Sequence, residues 1–410
     1  MHPPFLNARR LRDYPRLFLI SGGMVLFLNV LLHQGWLGGL TGIMLWGDFI
    51  SNYAGGIQYH IDITQLYDPY LQELTQAALI LPTISPGFAP FISMPNIAWA
   101  YSLLTAIPLT WAVGIWFIFS LACTAIAVKI MARWLVPDWL KSHGLTALQL
   151  AVLVCSNFAF IIGLQAGQTH MLTMLLVAGI VITSRREKWV LSGILAGLLI
   201  YKPQFAFGFL IVWFVWRRWD ALVSFGITAG LWIGVPLLQH GIGPFLDYLE
   251  FTDMLLLLPY AGESFPVAIM ATPYALLATL IPIQLVRPFQ LLFTIGVLVL
   301  SVALGVFAFR QRQVPVDKRT ASLVLAIFYP LLTMPHTLIY DLLILVPALL
   351  LIAQNQRQAR ALLGPLSFLY VGMLFLPLVG YALGVSLTAL IPIGLFLTQI
   401  RTLWNWRQTQ

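Results

Sequence analysis

The residues best suited to chemistry in this chain are few and widely separated. Asp48 follows an apolar run in LWGDFISNYAGG (45–56), ahead of an aromatic residue and a small-residue turn at Gly55 and Gly56. A carboxylate there suits a general base in a partly dried site, or equally a solvated loop acid or turn cap. Lys202 lies in LIYKPQF (199–205), beside Pro203, at a depth where an ammonium costs about 2.5–3.5 kcal/mol on insertion scales. A lysine so placed suits a phosphate at headgroup depth; the plainer alternative is a snorkelling lysine anchoring a helix end. Gln168 and His170 occupy the polar stretch GLQAGQTHMLT (163–173), where Gly163 and Gly167 permit close backbone approach. His336, Tyr340 and Asp341 in MPHTLIYD (334–341) share one face of a helix start, and Asp341, set in an apolar run, needs a partner such as His336 or Lys202.

The elements that must position these groups are membrane helices. Of the 410 residues, 60% are hydrophobic and 9% charged. Soluble proteins are about 45–50% apolar and about 25% charged, so lipid must solvate much of this chain. The expected fold class is all-α and polytopic. Apolar runs place about twelve transmembrane helices near 17–38, 108–131, 146–163, 169–184, 189–203, 204–216, 221–238, 288–309, 320–335, 337–353, 362–380 and 381–400. The N-terminal basic and apolar regions lack a small-residue cleavage site, which favours a retained first span.

Charge tests the map. With the N-terminus inside and the spans alternating, every Lys and Arg of the 22 falls in a cytoplasmic segment except Lys202 and Arg287. Both termini are then cytoplasmic, and Asp48, Gln168, Lys202 and His336 all come to the outer face. The net charge of +8 is thereby explained by topology, and no basic patch interleaved with aromatics suggests nucleic acid. Cys123 and Cys155 lie in apolar runs and read as packing residues. No metal-ligand cluster, phosphate loop or dinucleotide fingerprint is evident, so no cofactor is expected.

Two outer loops are expected, 39–107 and 239–287. In the first, Asp68 is an N-cap, Pro69 the first helical residue, and Tyr70, Leu71, Leu74, Ala77, Ala78 and Leu81 one apolar face of an interfacial helix. In the second, PFLDYLEFTDMLLLLP (244–259) sets Asp247, Glu250 and Asp253 on a polar face. The segments 92–108 and 270–284 are short, carry prolines and are assigned no crossing.

The pieces GDFISNYAGG with the later LYDP, GQTHMLTMLL, GILAGLLIYKPQF closing on RRW, and HTLIYDLLILVPAL resemble, in order, the family 87 glycosyltransferases of the GT-C superfamily. That resemblance implies a bacterial inner-membrane enzyme transferring a sugar, mannose in the best-known cases, from a polyprenyl-phosphate carrier to a lipid-linked or glycan acceptor at the periplasmic or extracellular face. It implies that Asp48 is the catalytic base and that Lys202, Gln168 and His336 hold the donor phosphate. Tyr53, His170, Tyr340 and Asp341 are then candidate substrate-binding residues. The chain departs from the family in reading FAPFISMPNIAW where an aromatic-proline-proline element is usual, and in having His170 where Asn is common. The rival reading is a secondary transporter with Lys202, His336 and Asp341 as a coupling path, against which no inverted repeat is seen.

Overall fold

The computed structural model describes residues 47–81, 89–255, 267–314, 319–355 and 375–407, with 13–17, 19–21, 23–24, 257 and 372–373 besides. The architecture is all-α, and the described residues hold no strand, only an isolated bridge between Met270 and Leu338. In chain order the helices are α1 (Gly47–Ile61), α2 (Pro69–Ile80), α3 (Pro95–Ser102), α4 (Leu109–Trp134), α5 (Asp138–Ser142), α6 (Ala147–Cys155), α7 (Phe158–Ala166), α8 (His170–Arg185), α9 (Trp189–Leu198) and α10 (Gln204–Val215). There follow α11 (Trp219–His240), α12 (Gly243–Leu255), α13 (Pro273–Ala278), α14 (Val286–Gln311), α15 (Thr320–Thr333), α16 (Leu345–Ile352) and α17 (Leu390–Arg407).

Among the described residues, three helices are long and apolar enough to cross a bilayer alone: Leu109–Trp134, Trp219–His240 and Ile283–Gln311. A fourth crossing results if α6 and α7, bent by 65° at Ser156–Asn157, count as one broken span. Asn157 makes that bend by capping α7, its side-chain oxygen accepting from Ala159 N at 2.9 Å. Six further apolar helices run 10–17 residues. A helix of 16 residues such as α8 is about 24 Å long, short of the roughly 30 Å hydrocarbon layer. Twelve complete crossings are therefore not what the described residues display: three or four full spans are joined by shorter helices. Most of the spans expected at 17–38 and 362–380 lies outside the described residues. The last helix starts at Leu390, after a 3-10 turn (Leu387–Ala389), rather than at 381.

The segments left without a crossing behave accordingly. Helix α3 has eight residues and α13 six, about 12 and 9 Å, and neither can span. Exposed leucine, isoleucine and valine cover the outward faces of α11 and α14, among them Leu231, Leu238, Leu292 and Val302. Apolar area on that scale is expected of a lipid-facing surface.

Two apolar clusters organise the interior. The larger joins α4 and α6 through α10 to α14 through α17; the smaller joins α1, Ile63, Leu66, Phe91, α3 and the start of α4. Tyr201 packs against both, so the clusters meet beside Lys202.

The sequence GDFISNYAGG forms helix rather than leading into a turn. Gly55 and Gly56 lie within α1, and a Cβ at Gly56 would fall 2.7 Å from Ser102 N and from Tyr101 C. The small residues are thus spent on packing α1 against α3. Helix α2 begins as expected, with Asp68 Oδ1 accepting from Leu71 N at 3.0 Å and Pro69 at its first position. Its inward face is polar: Gln72 bonds Leu66 O and Phe91 N, and Gln76 bonds Ala89 O. Tyr70, Leu74 and Leu81 are left exposed.

The basic turns gather at one end of the bundle. Arg186 stacks on Trp134, Arg218 on Trp189 and Arg319 on Trp216. The polar turns at 166–170, 199–204 and 334–341 gather at the other.

Candidate functional site

The site is assembled where chains of helix are broken. The helical run ends in a 3-10 turn at Leu199–Tyr201, and Pro203, which has no backbone N–H to donate, stands just before α10. Lys202 sits between with φ −138° and ψ 71°, outside helical geometry. A second 3-10 segment, Ile339–Ile344, carries Tyr340 and Asp341, and Asp341 Oδ2 caps it by accepting from Leu338 N at 3.2 Å. The turn bearing His336 is clasped by the second loop: Ala271 N donates to Thr337 O at 2.8 Å and Thr272 Oγ1 to Pro335 O at 3.2 Å.

One continuous chain of contacts then links residues distant in sequence. Gln168 Nε2 donates to Asp48 Oδ2 at 2.7 Å and to the Tyr340 hydroxyl at 2.9 Å. Lys202 Nζ lies 5.3 Å from the Tyr340 ring centroid and bonds Asp341 Oδ1 at 2.7 Å. Asp48 and Lys202 therefore face one polar seam between the two apolar clusters.

The eight residues singled out in the sequence divide by exposure. Asp48, Gln168, Lys202 and His336 keep part of their surface accessible. Tyr53, His170, Tyr340 and Asp341 are at most 5% exposed. The latter four are enclosed by protein, behind the accessible groups. Tyr53 packs with Phe49 and gives its hydroxyl proton to Ile107 O at 2.7 Å, away from the polar chain. His170 fills the space that Gly163 leaves: a Cβ at Gly163 would lie 2.3 Å from the imidazole. Gly163 therefore serves the protein's own histidine, not a ligand. Tyr340 and Asp341 act on Gln168 and Lys202. Gly163→Ala is expected to displace His170 and cost about 1–3 kcal/mol by overpacking, read as a lowered unfolding midpoint in detergent.

Gln168 is engaged on both sides. Its amide has two N–H groups, and both are used, on Asp48 and Tyr340. Both bonds tie Gln168 to its neighbours across the seam. Lys202 has three donors, of which Asp341 takes one.

The electrostatics follow from burial. Asp48 is ringed by protein yet accessible, as a cavity-lining group is, and burial raises its pKa above the ordinary carboxylate value. The Gln168 bond and the Lys202 charge pull it back, and the Asp341 charge adds to the rise. For His336, burial lowers the pKa to about 4, with Asp341 opposing and Lys202 reinforcing the shift. His336 is thus neutral at pH 7 and can meet an anion only through an N–H. No cluster of three His, Cys, Asp or Glu able to hold a metal occurs among the described residues.

The arrangement is a carboxylate with one oxygen unbonded among the described residues, facing an ammonium across a tyrosine, in a seam at one end of a membrane-type bundle. A family model described as glycosyltransferase family 87 matches residues 91–335, more than half of the chain. The chain belongs to glycosyltransferase family 87. Searches of curated proteins and of solved structures give no match. Membership makes the protein a glycosyltransferase, with a donor and an acceptor to bind. The family 87 match includes Gln168, His170 and Lys202; Asp48 lies before it, and His336, Tyr340 and Asp341 just beyond.

Sequence reasoning passed over Tyr101 and Trp116, which pack against Phe49 and Gly167, the chain neighbours of Asp48 and Gln168. Trp116 Nε1 donates to Gly167 O at 2.8 Å, and the Phe49, Tyr101 and Trp116 rings are in mutual contact. The available signal was the unplaced segment 92–108, rich in aromatics yet too short to cross.

Proposed function

We propose that this family 87 enzyme moves a hexose, mannose by preference, from a polyprenyl-phosphate carrier to a hydroxyl of a lipid-linked or envelope glycan acceptor. The reaction is placed at the outer face of a bacterial inner membrane, on the charge distribution of the loops. The observation carrying this reading is the chain Asp48–Gln168–Tyr340 leading to Lys202.

The donor enters from the lipid with its phosphate beside Lys202, whose two remaining N–H groups meet phosphate oxygens while Asp341 holds the ammonium in place. Neutral His336 adds one N–H. The acceptor hydroxyl lies at Asp48, which Gln168 aims. Asp48 takes the hydroxyl proton, the acceptor oxygen bonds to the anomeric carbon, and the bond from that carbon to the phosphate oxygen breaks with its electron pair leaving on phosphate. Attack opposite the leaving group inverts the centre, the geometric logic of a single displacement. A phosphate dianion departs without a strong acid, so one carboxylate suffices.

The test is incubation of the purified protein in detergent with radiolabelled polyprenyl-phosphate mannose and, separately, glucose. Glycoside formation matched by release of polyprenyl phosphate is expected. Solute flux in proteoliposomes with the carrier intact would overturn the reading and favour a transporter.

A further inference from the structure

The end of the bundle opposite the polar seam carries two guanidinium groups that the mechanism above does not use. Arg218, in the turn between α10 and α11, has its Cζ 4.5 Å from the Trp189 ring centroid. Arg319, just before α15, lies 5.1 Å from the Trp216 ring, and the two indoles meet edge to face at 6.2 Å. Trp189 and Trp216 are both buried, so the arginines rest on a fixed aromatic floor. Like charges are thereby held close: the Arg218 charge bears on Arg319, with the charge of Glu187 opposing it. The donors are unequally spent. A guanidinium has five N–H groups. Arg319 commits Nε to Val314 O and Nη2 to Arg312 O. Arg218 makes no hydrogen bond or ion pair among the described residues, and its Nε is enclosed without a partner. Glu187 and Asp220, the acids nearest in the adjoining turns, leave it unpaired. An enclosed, unpartnered donor beside a second cation calls for an anion. A guanidinium stacked on one face keeps its N–H edges free for a pair of oxygens, as a phosphate offers.

An apolar track begins at the same turn. Trp219, Val223, Ile227 and Leu231 are exposed at four-residue steps along α11. That ridge is about 18 Å long, close to the roughly 15 Å hydrocarbon depth of one leaflet. Gly226 and Gly230 run beside it, with nothing within 4 Å of where a Cβ would stand, so the ridge is bordered by open space. Phe214, also exposed, closes on Trp219 edge to face at 5.6 Å and walls the head of the track.

We propose that Arg218 and Arg319 form a headgroup site for an anionic phospholipid, with its phosphate on the Arg218 guanidinium and an acyl chain along the α11 ridge. The two arginines set the selectivity. A lipid whose headgroup carries its own ammonium would bring a third cation to the pair, whereas a net anion relieves their repulsion. The ridge favours a tailed phosphate over a free one, because a free ion gains nothing from Val223, Ile227 and Leu231. The site is independent of sugar transfer and lies at the other end of the bundle from Lys202.

The test titrates the delipidated full chain in detergent with dioleoyl phosphatidylglycerol, dioleoyl phosphatidylcholine or inorganic phosphate. Bound lipid is counted by native mass spectrometry, and the unfolding midpoint is followed in parallel. Phosphatidylglycerol is expected to bind about fivefold or more tightly than phosphatidylcholine, the worth of one basic residue at an anionic surface, and to raise the midpoint. Inorganic phosphate is expected to do neither at the same concentration. Arg218→Gln should abolish the preference. Arg217→Gln removes the same charge from the exposed neighbouring position and should keep it. Arg218→Lys, which retains the charge and loses the planar fork, should lose most of the preference and serves in place of Arg218→Gln if that protein does not fold. Equal binding of the two lipids would overturn the site. Equal losses in Arg217→Gln and Arg218→Gln would reduce it to the diffuse charge of this end. A midpoint raised as much by inorganic phosphate as by phosphatidylglycerol would make it a free-anion site and overturn the lipid.

Discussion

Asp48→Asn is expected to lower the rate of sugar transfer by about 10²–10⁴-fold, the usual worth of a positioned base, with donor affinity little changed. The substitution is close to isosteric. The Asn oxygen can still accept from Gln168, so the Asp48–Gln168–Tyr340 geometry survives and only the proton acceptor is lost. The pH profile sharpens the test. Burial raises the Asp48 pKa, and a base must be ionised to act, so the acidic limb of kcat/KM should lie above the ordinary carboxylate value of 3.8. Gln168→Leu removes the bond that lowers this pKa and should move the limb to still higher pH. Stability runs the other way. The folded protein holds the Asp48 proton more tightly than the unfolded chain, so acidification through this range stabilises the fold as it silences the base. Full transfer activity in Asp48→Asn, or an unchanged acidic limb in Gln168→Leu, would remove Asp48 from the role.

The second large effect concerns Lys202, where function and stability have to be separated. Lys202→Met leaves the Asp341 carboxylate, 4% exposed, without its ammonium. Breaking one side of a buried pair typically costs about 3–5 kcal/mol, because an uncompensated charge remains in low dielectric. Loss of activity in that variant alone would therefore say little. The companion is Lys202→Met with Asp341→Asn, which removes both charges yet keeps an oxygen to cap Leu338 N. Unfolding midpoints in detergent should fall sharply in the single variant and recover most of the way in the double. Transfer should be lost in both, since neither can neutralise the leaving phosphate. Recovery of wild-type transfer in the double variant would show that Lys202 only balances Asp341.

Much of this site was legible in the chain because lipid makes charge conspicuous. Lys202 stands alone among apolar residues, and so does Asp341; the need for a partner at membrane depth foretold that each would find one, and they found each other. The cap at Asp68, the break at Pro203 and the gathering of basic turns at one end likewise follow from local rules that need no tertiary contact. What could not be read was direction. Gln72 and Gln76 look like the solvent face of α2, yet they point inward and bond the backbone at Ala89 and Phe91. Gly163 looks like room for a ligand, yet His170 occupies it.

The sequence by itself determined that this is a membrane-type all-helical protein and that it belongs with family 87. Those conclusions depend on composition, on charge sorting and on residue order, all of which are one-dimensional. Only the tertiary structure decided which polar groups are accessible and which stand behind them: that Gln168 bonds Asp48, and that Tyr340 and Asp341 are enclosed. The reason is that a side chain's access is set by what packs against it from elsewhere in the chain, and no local pattern records that.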